Sequence, residues 1–445
     1  MKFATIILAA GKGSRMKSAM PKVLHPLAGA PLLAHAMRAA QEAGSEKTVI
    51  VVGHEGEAVA KAALALDEAA IIAKQEAQNG TGHAVLQARA ALEGFEGDII
   101  VLYGDTPFIR PETLDRMLAA RAAGQDVVVL GFEAARPEGY GRLKMAGDSL
   151  EAIIEHKDAS EAERAIRICN SGVVCADADN LFSLLSEVGD DNASGEIYLT
   201  DIVAIARAKG QRSTAILCEE AETMGVNSRA DLAMAEAEFQ RRARAEALEN
   251  GTTLLAPETV YFALDTVVGS DVLIEPNVFF GPDVSVENGA HIKAFCHFEG
   301  CHISEGAVVG PFARLRPGAE IGAFGKVGNF VEIKNATIGK RAKVNHLSYV
   351  GDADIGAESN IGAGVIFCNY DGVFKHHSSL GERVFVGSNS ALVSPVNIGD
   401  DALIGTGSVV TQDVPTGDLV LARAAQVNKK GRGKRLMDML RAKKK

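Results

Sequence analysis

Through the last third of this 445-residue chain an aliphatic or aromatic residue returns every six positions, a rule few folds can obey. From Phe262 the beat falls on Val268, Ile274, Phe280, Val286, Ile292 and Phe298. It resumes one residue early at Ile303 and runs through Val309, Leu315, Ile321, Val327 and Ile333. It resets at Ile338 and at Ile355, then closes on Leu380, Val386, Leu392, Ile398, Ile404 and Val410. A short fixed repeat predicts a parallel β-helix, each hexad supplying one short strand and one corner. The repeating side chain fills the interior. The glycine that often follows it, as in Val309-Gly310, Ile321-Gly322, Ile355-Gly356 and Ile404-Gly405, suits a corner where a Cβ would be strained. Three hexads make one coil, so residues eighteen apart should stack about 4.8 Å from one another. Spacing in the sequence thereby becomes adjacency in space.

The front half follows another rule. Short β-rich runs at residues 4–10, 48–52, 99–103 and 127–131 alternate with Ala-rich helical stretches such as 32–43 and 81–92. That pattern predicts an α/β domain with a largely parallel sheet. Residues 230–250 hold no Gly or Pro and read as one exposed connecting helix, closed by Gly251. The expected organisation is therefore an α/β domain over 1–228, a connecting helix over 229–250, the β-helix over 251–428 and a basic, disordered tail over 429–445. Within the β-helix, the stretch 368–379 breaks the rhythm and should protrude as a loop.

Composition excludes several classes. A net charge of −11 argues against a nucleic-acid binder. No apolar run is long enough to span a membrane. The apolar start, 3–10, runs directly into Gly11-Lys12-Gly13-Ser14-Arg15 and does not read as a signal peptide. The six cysteines form no CxxC pair and read as free, partly buried thiols of a reducing, cytoplasmic compartment.

Two clusters carry chemistry. After the first predicted strand, Gly11 and Gly13 open a loop whose backbone N–H groups suit a phosphate chain, although its spacing matches neither common phosphate loop and an ordinary glycine turn fits as well. Arg15 and Lys22 shift the balance towards a polyanion. In the β-helix, Arg316 and Lys334 are eighteen apart and should stack, leaving two cations that either share an anion or splay into solvent. Arg314 and Glu332 are also eighteen apart, so Glu332 could pair with Arg314. Tyr349 follows Glu332 in the same column once the reset is counted, and His346 lies close by.

Leu8-Ala9-Ala10-Gly11-Lys12-Gly13-Ser14-Arg15-Met16 with Pro21-Lys22-Val23-Leu24 resembles the signature of sugar-phosphate nucleotidyltransferases. Further matches are Gln75 with Gly80-Thr81-Gly82-His83, Tyr103-Gly104-Asp105, Gly139-Tyr140-Gly141-Arg142, Glu155-His156-Lys157-Asp158, Asn170-Ser171-Gly172 and Gly225-Val226-Asn227. The repeat resembles the hexapeptide-repeat acyltransferases. Together the halves resemble a bacterial family that joins an N-acetylglucosamine-1-phosphate uridylyltransferase to a glucosamine-1-phosphate acetyltransferase.

The resemblance implies a Rossmann-like nucleotidyltransferase domain before a left-handed parallel β-helix. It also implies acetyl-CoA and UTP as co-substrates, Mg²⁺ as cofactor, and a homotrimer built through the β-helix that supplies a precursor for peptidoglycan and lipopolysaccharide. Leu8, Gly11, Gly13, Arg15 and Lys22 would hold the triphosphate, with Arg15 and Lys22 acting in catalysis. Asp105 and Asn227 would coordinate Mg²⁺. Gln75, Gly80 and Thr81 would read the uracil. Tyr103 and Gly104 would line the nucleotide site, and Gly141, Glu155 and Asn170 would hold the sugar. In the second half His346 would be the general base, oriented or polarised by Glu332. Arg316 and Lys334 would bind the sugar phosphate, with Tyr349 and Asn360 on the sugar. Ala363, Asn369, Tyr370, Ser388, Thr406 and Arg423 would line the acetyl-CoA groove. Two other readings stay open at this point: a monofunctional nucleotidyltransferase whose β-helix only assembles or regulates, and a non-catalytic sugar-nucleotide sensor.

Overall fold

The computed structural model describes residues 2–444 apart from Lys12, His54, Glu55 and Ala193. It divides into two compact units, Met1–Phe239 and Gln240–Lys445.

In the first unit the central sheet runs Ser213–Cys218, Val127–Glu133, Ile168–Asp177, Asp98–Tyr103, Phe3–Ala9, Lys47–Val52, Ile71–Lys74. Ile168–Asp177 runs antiparallel to both neighbours; the other pairs along this path are parallel. A hairpin of Arg142–Ala146 and Ser149–Ile154 branches from it. Side chains alternate across the sheet, so each strand feeds two cores. Ile6, Val49, Val51 and Val101 face helices Thr81–Leu86, Ala178–Leu185 and Ile202–Ala208. Phe3, Ile7, Ile50 and Leu102 face helices Leu32–Glu42, Glu57–Leu66 and Pro111–Ala122. Runs that read as continuously hydrophobic do so because both faces are covered.

The helix Arg229–Glu249 is continuous, but the boundary between the units falls inside it, at Phe239. Its C-terminal half belongs to the β-helix, where Gln240 bonds the backbone N–H and C=O of Phe262 at 2.9 and 2.7 Å.

In the second unit the hexads stack as parallel coils with three interior columns. One descends Phe262, Phe280, Phe298, Leu315, Ile333, Val350 and Phe367, all at most 5% exposed. The register steps by eighteen residues where the beat is regular, as in Val268 with Val286, and by seventeen across each reset, as in Val284 with Cys301 and Ala319 with Ala336. At the interruption the step becomes twenty-five, from Ala353 to Ser378, and Val373 and Phe374 stand out at 74% and 67% exposure.

The glycines after the aliphatic residues have a different role from the expected one. Gly310 does adopt a positive φ, but Gly322, Gly356 and Gly405 do not. A Cβ on Gly322 or Gly356 would lie 2.8 Å from Ile338 O or 2.3 Å from Gly381 C in the next coil. Close stacking excludes the side chain there. The left-handed corners are instead occupied by Asp, Asn and even Phe.

The tail also differs from expectation. Residues Arg432–Lys443 form an α-helix, where high net charge and low hydrophobicity predicted disorder.

Candidate active sites

Three strands of the first unit end at one place. Phe3–Ala9 leads into Ala10 and Gly11, Asp98–Tyr103 into Gly104 and Asp105, and Ile71–Lys74 into Gln75. All run in the same direction, so their C-terminal ends form the crevice where such sheets bind ligands. A cleft of about 360 Å³ opens there, lined among others by Leu8, Gly11, Lys22, Gln75, Gly80, Thr81, Tyr103 and Asp105. The segment 225–227 joins from far along the chain because Val226 N–H donates to Asp105 O at 2.9 Å.

At the centre the Lys22 ammonium bonds the Asp105 carboxylate and, at 2.9 Å, Asn227 Oδ1. Two hard oxygen donors therefore converge on a cation. Gly13 is positioned by the same lysine: its φ is +59°, and a Cβ would lie 2.6 Å from Lys22 Cβ. Gln75 is 3% exposed and donates its amide to Gly80 O at 3.1 Å and His83 Nδ1 at 3.0 Å, leaving its carbonyl oxygen as the acceptor for a ligand. Gly80 has a φ of +103° and would place a Cβ 2.5 Å from Ile197 O.

Tyr103 lies between this cleft and a second cradle. Burial pushes its phenol well above the usual range, with Asp105 and Glu155 adding to the shift. Gly172 packs so closely on its ring that a Cβ would lie 2.6 Å away. Beyond it Gly141, Glu155 and Asn170 converge: a Cβ on Gly141 would be 3.4 Å from Glu155 Oε1 and 3.6 Å from Asn170 Cβ. Burial raises the Glu155 carboxyl above its ordinary value despite the bond from Thr200 Oγ1 at 3.2 Å. Arg142, 1% exposed, anchors the adjoining loop by donating to Tyr140 O and Arg164 O. Gly104 sits behind the cleft, its N–H on Leu8 O at 3.0 Å. Arg15 is exposed on the turn Ser14–Met16 and does not line the cleft, and Lys12 lies outside the described residues.

On the β-helix the register sets Glu332 under Tyr349, as the phase of the repeat requires. Side-chain pairing departs from expectation. Glu332 accepts from Arg316 Nη1 at 2.8 Å rather than pairing with Arg314, its in-register neighbour. Its carboxylate is thus committed to Arg316 and bonds no atom of His346. Instead Asn329, seventeen residues before His346 and in register with it, accepts from the imidazole Nδ1 at 2.7 Å. That bond fixes the tautomer and leaves Nε2 with a free lone pair.

Lys334 has a neighbour that the repeat did not reveal. Lys375, in the protruding loop, comes within hydrogen-bonding reach of it; that contact, then burial and nearby Arg316, hold the Lys334 ammonium below its usual lysine value. Burial pushes the Asp352 carboxyl up, but hydrogen bonds from Asn335 and Asn369 and the two lysines outweigh it and leave it lowered. Two lysines beside the Asp352 carboxylate, next to the Arg316–Glu332 pair, leave one positive charge in excess and so a place for an anion. Asn369 also donates to Tyr349 Oη at 3.4 Å. Ala363, Ser388 and Thr406 follow the stacked residues Ile361, Val386 and Ile404 by two positions, which puts them in one column, and Arg423 bonds Thr406 O at its end. Asn360 lies one residue before that column's strand partner, in register with Lys343 and Phe385. Tyr370 is exposed on the loop. Beside these groups a shallow cavity of about 390 Å³ is lined by Glu332, Tyr349, Phe312, Phe330 and Leu347.

Residues 5–174 match the MobA-like NTP transferase domain, and residues 379–412 match the hexapeptide repeat of succinyl-transferase. The bifunctional protein GlmU of Ruegeria sp. (strain TM1040) is 62% identical over 444 residues, covering 100% of this chain and 99% of that protein. The chain belongs to the GlmU family. GlmU of Ruegeria pomeroyi is 64% identical over 444 residues, covering 100% of this chain and 98% of its own length. GlmU of Roseobacter denitrificans is 59% identical with the same coverages. A solved UDP-glucose pyrophosphorylase in complex with UDP-glucose is similar over 54% of this chain at 22% identity and a TM-score of 0.45, too slight a likeness to carry an argument. As a GlmU family member with both domains the chain is a bifunctional transferase. Among the described residues no helix is long and apolar enough to cross a membrane, and the six cysteines are unpaired.

Proposed function

We propose that the β-helix transfers an acetyl group from acetyl-CoA to glucosamine 1-phosphate, and that the first unit then couples the product to UTP, yielding UDP-N-acetylglucosamine and pyrophosphate. The carrying observation is that two unrelated residue sets, each drawn from distant stretches, converge at separate places on two different folds.

For acetyl transfer, His346 Nε2 removes a proton from the sugar amine as its nitrogen attacks the thioester carbonyl, and the CoA sulfur leaves. Arg316, Lys334 and Lys375 hold the 1-phosphate, Tyr349 and Asn360 the sugar, and the column Ala363–Ser388–Thr406 with Asn369, Tyr370 and Arg423 the CoA. Asn329, not Glu332, orients the base; Glu332 instead fixes Arg316.

For uridylyl transfer the attacking phosphate oxygen is already ionised, so no general base is required. The task is to bring two anions together and to stabilise the departing pyrophosphate. Gly11, Gly13 and Lys22 hold the triphosphate, and Arg15, outside the cleft on the exposed turn, reaches it by swinging its long side chain inward over the bound phosphates. Gln75 Oε1 accepts from the uracil N3–H, beside Gly80 and Thr81, while Gly141, Glu155 and Asn170 hold the sugar. The Asp105 carboxylate and Asn227 carbonyl suit Mg²⁺, a hard cation that takes oxygen ligands and keeps waters and substrate phosphates. Lys22 already rests its ammonium between those two donors, which supports a cation site there. Mg²⁺ supplies charge neutralisation on the phosphates.

Homotrimer assembly is supported by the β-helix surface. Phe295, Phe312 and Phe330 stack in one corner column at 4.9 and 5.1 Å, each about half exposed and each in the left-handed conformation. Exposure and backbone strain are both unfavourable in an isolated chain. Burial against two further copies offsets both.

Mass spectrometry of products from glucosamine 1-phosphate, acetyl-CoA, UTP and Mg²⁺ tests the assignment. UDP-N-acetylglucosamine should form only with acetyl-CoA present. Asp105→Ala should abolish uridylyl transfer and spare acetyl transfer, and His346→Ala the reverse. If supplied N-acetylglucosamine 1-phosphate is uridylylated but acetylation never occurs, the β-helix is a scaffold.

A further inference from the structure

The basic tail lines neither cavity, yet it is helical over Arg432–Lys443. Every residue of the helix Arg432–Lys443 is exposed, so no face of it is buried in its own chain. A helix of this length is marginal alone in water. Its faces are nevertheless sorted. Leu436, Met437, Met439 and Leu440, at 52%, 50%, 50% and 49% exposure, fall within about 160° of the circumference at about 100° per residue. Lys434, Arg435 and Arg441 occupy the opposite side. Arg432 and Lys443 interrupt the apolar arc only at the helix ends, where long stems let the charge reach out of an apolar layer. Residues 429–445 carry nine Lys and Arg against the single Asp438, in a chain of net charge −11. Gly431, at φ +71°, turns the helix off as a separate element.

We propose that this helix docks on an anionic lipid surface, its apolar arc in the boundary between headgroups and acyl chains and its cations on the lipid phosphates. Charge complementarity combined with the apolar arc selects this occupant. A nucleic acid would use the cations but leave four large apolar side chains in water.

The test is flotation of the full-length protein with vesicles of phosphatidylglycerol and phosphatidylcholine in equal parts, against phosphatidylcholine alone. The protein should float with the anionic vesicles only, and high salt should release it. Leu436→Asn with Leu440→Asn, which leaves the charge unchanged, should cut the bound fraction roughly tenfold while both enzymatic activities measured without vesicles persist. No flotation with anionic vesicles overturns the proposal, as does equal flotation with the zwitterionic ones. Undiminished flotation of the double variant would make the tail a simple polycation and also overturn it. Light scattering on a chain ending at residue 428 closes the remaining alternative: fewer copies per assembly than in the full-length protein would assign the helix to contacts between copies.

Discussion

His346 gives its Nδ1 to Asn329, so in the proposed role its usefulness as a base would depend on a neutral amide one coil away. Asn329→Ala removes the acceptor that fixes the tautomer. It should lower kcat for acetyl transfer on the order of tenfold, less than the ~10²–10⁴ expected for His346→Ala, and leave uridylyl transfer unchanged. Glu155 gives a pH signature to the other half. Burial raises its carboxyl, so on acidification it takes up a proton earlier than an ordinary glutamate and, in the proposed role, would stop accepting from sugar hydroxyls. KM for N-acetylglucosamine 1-phosphate should therefore rise as pH falls, from a higher pH than an unperturbed carboxylate would give. Glu155→Gln should flatten that profile, at a KM raised throughout. Side-chain choice is what the residue patterns left unread. Stacking placed Glu332 beside Arg314, but a flexible guanidinium two residues on reached it first. Asn329 was within reach of the same arithmetic, seventeen residues before His346 across a reset; Lys375 was not, because the inserted loop has no phase.

At the scale of elements the repeat translated almost directly into structure, since a six-residue period leaves the interior side chain no other destination. The resets at 303 and 338 became seventeen-residue register steps, and the interruption after 368 became the loop. Corner conformation was not legible, because composition cannot tell a glycine needed for positive φ from one needed for close coil stacking. Nor was the tail helix, whose charge suggested disorder while its apolar spacing carried the helical period. The aromatic ladder Phe262–Phe280–Phe298 puts three large rings in succession in the interior column, with ring centroids 5.2 and 5.5 Å apart. Phe280→Ala should cost about 3–5 kcal/mol in the β-helix alone. Following both activities against urea concentration checks this: the acetyl transfer midpoint should drop while the uridylyl transfer midpoint stays in place.

For the molecule as a whole, the corner column of Phe295, Phe312 and Phe330 sets local stability against assembly. A phenylalanine in the left-handed region is strained, whereas asparagine adopts that conformation with little cost. Phe312→Asn with Phe330→Asn should therefore leave the isolated β-helix as stable as before, or more so. The same change removes two half-exposed rings, at 45% and 55% exposure, that line the cavity beside Glu332 and Tyr349. If other copies cover that cavity, the double variant should run as a monomer by light scattering and lose acetyl transfer by about tenfold or more, since central aromatic anchors dominate interface energy. Uridylyl transfer should be untouched, because its cleft lies wholly within the first unit. A variant that stays trimeric with a destabilised β-helix would place these rings in the fold's own stability and sever the link between assembly and acetyl transfer.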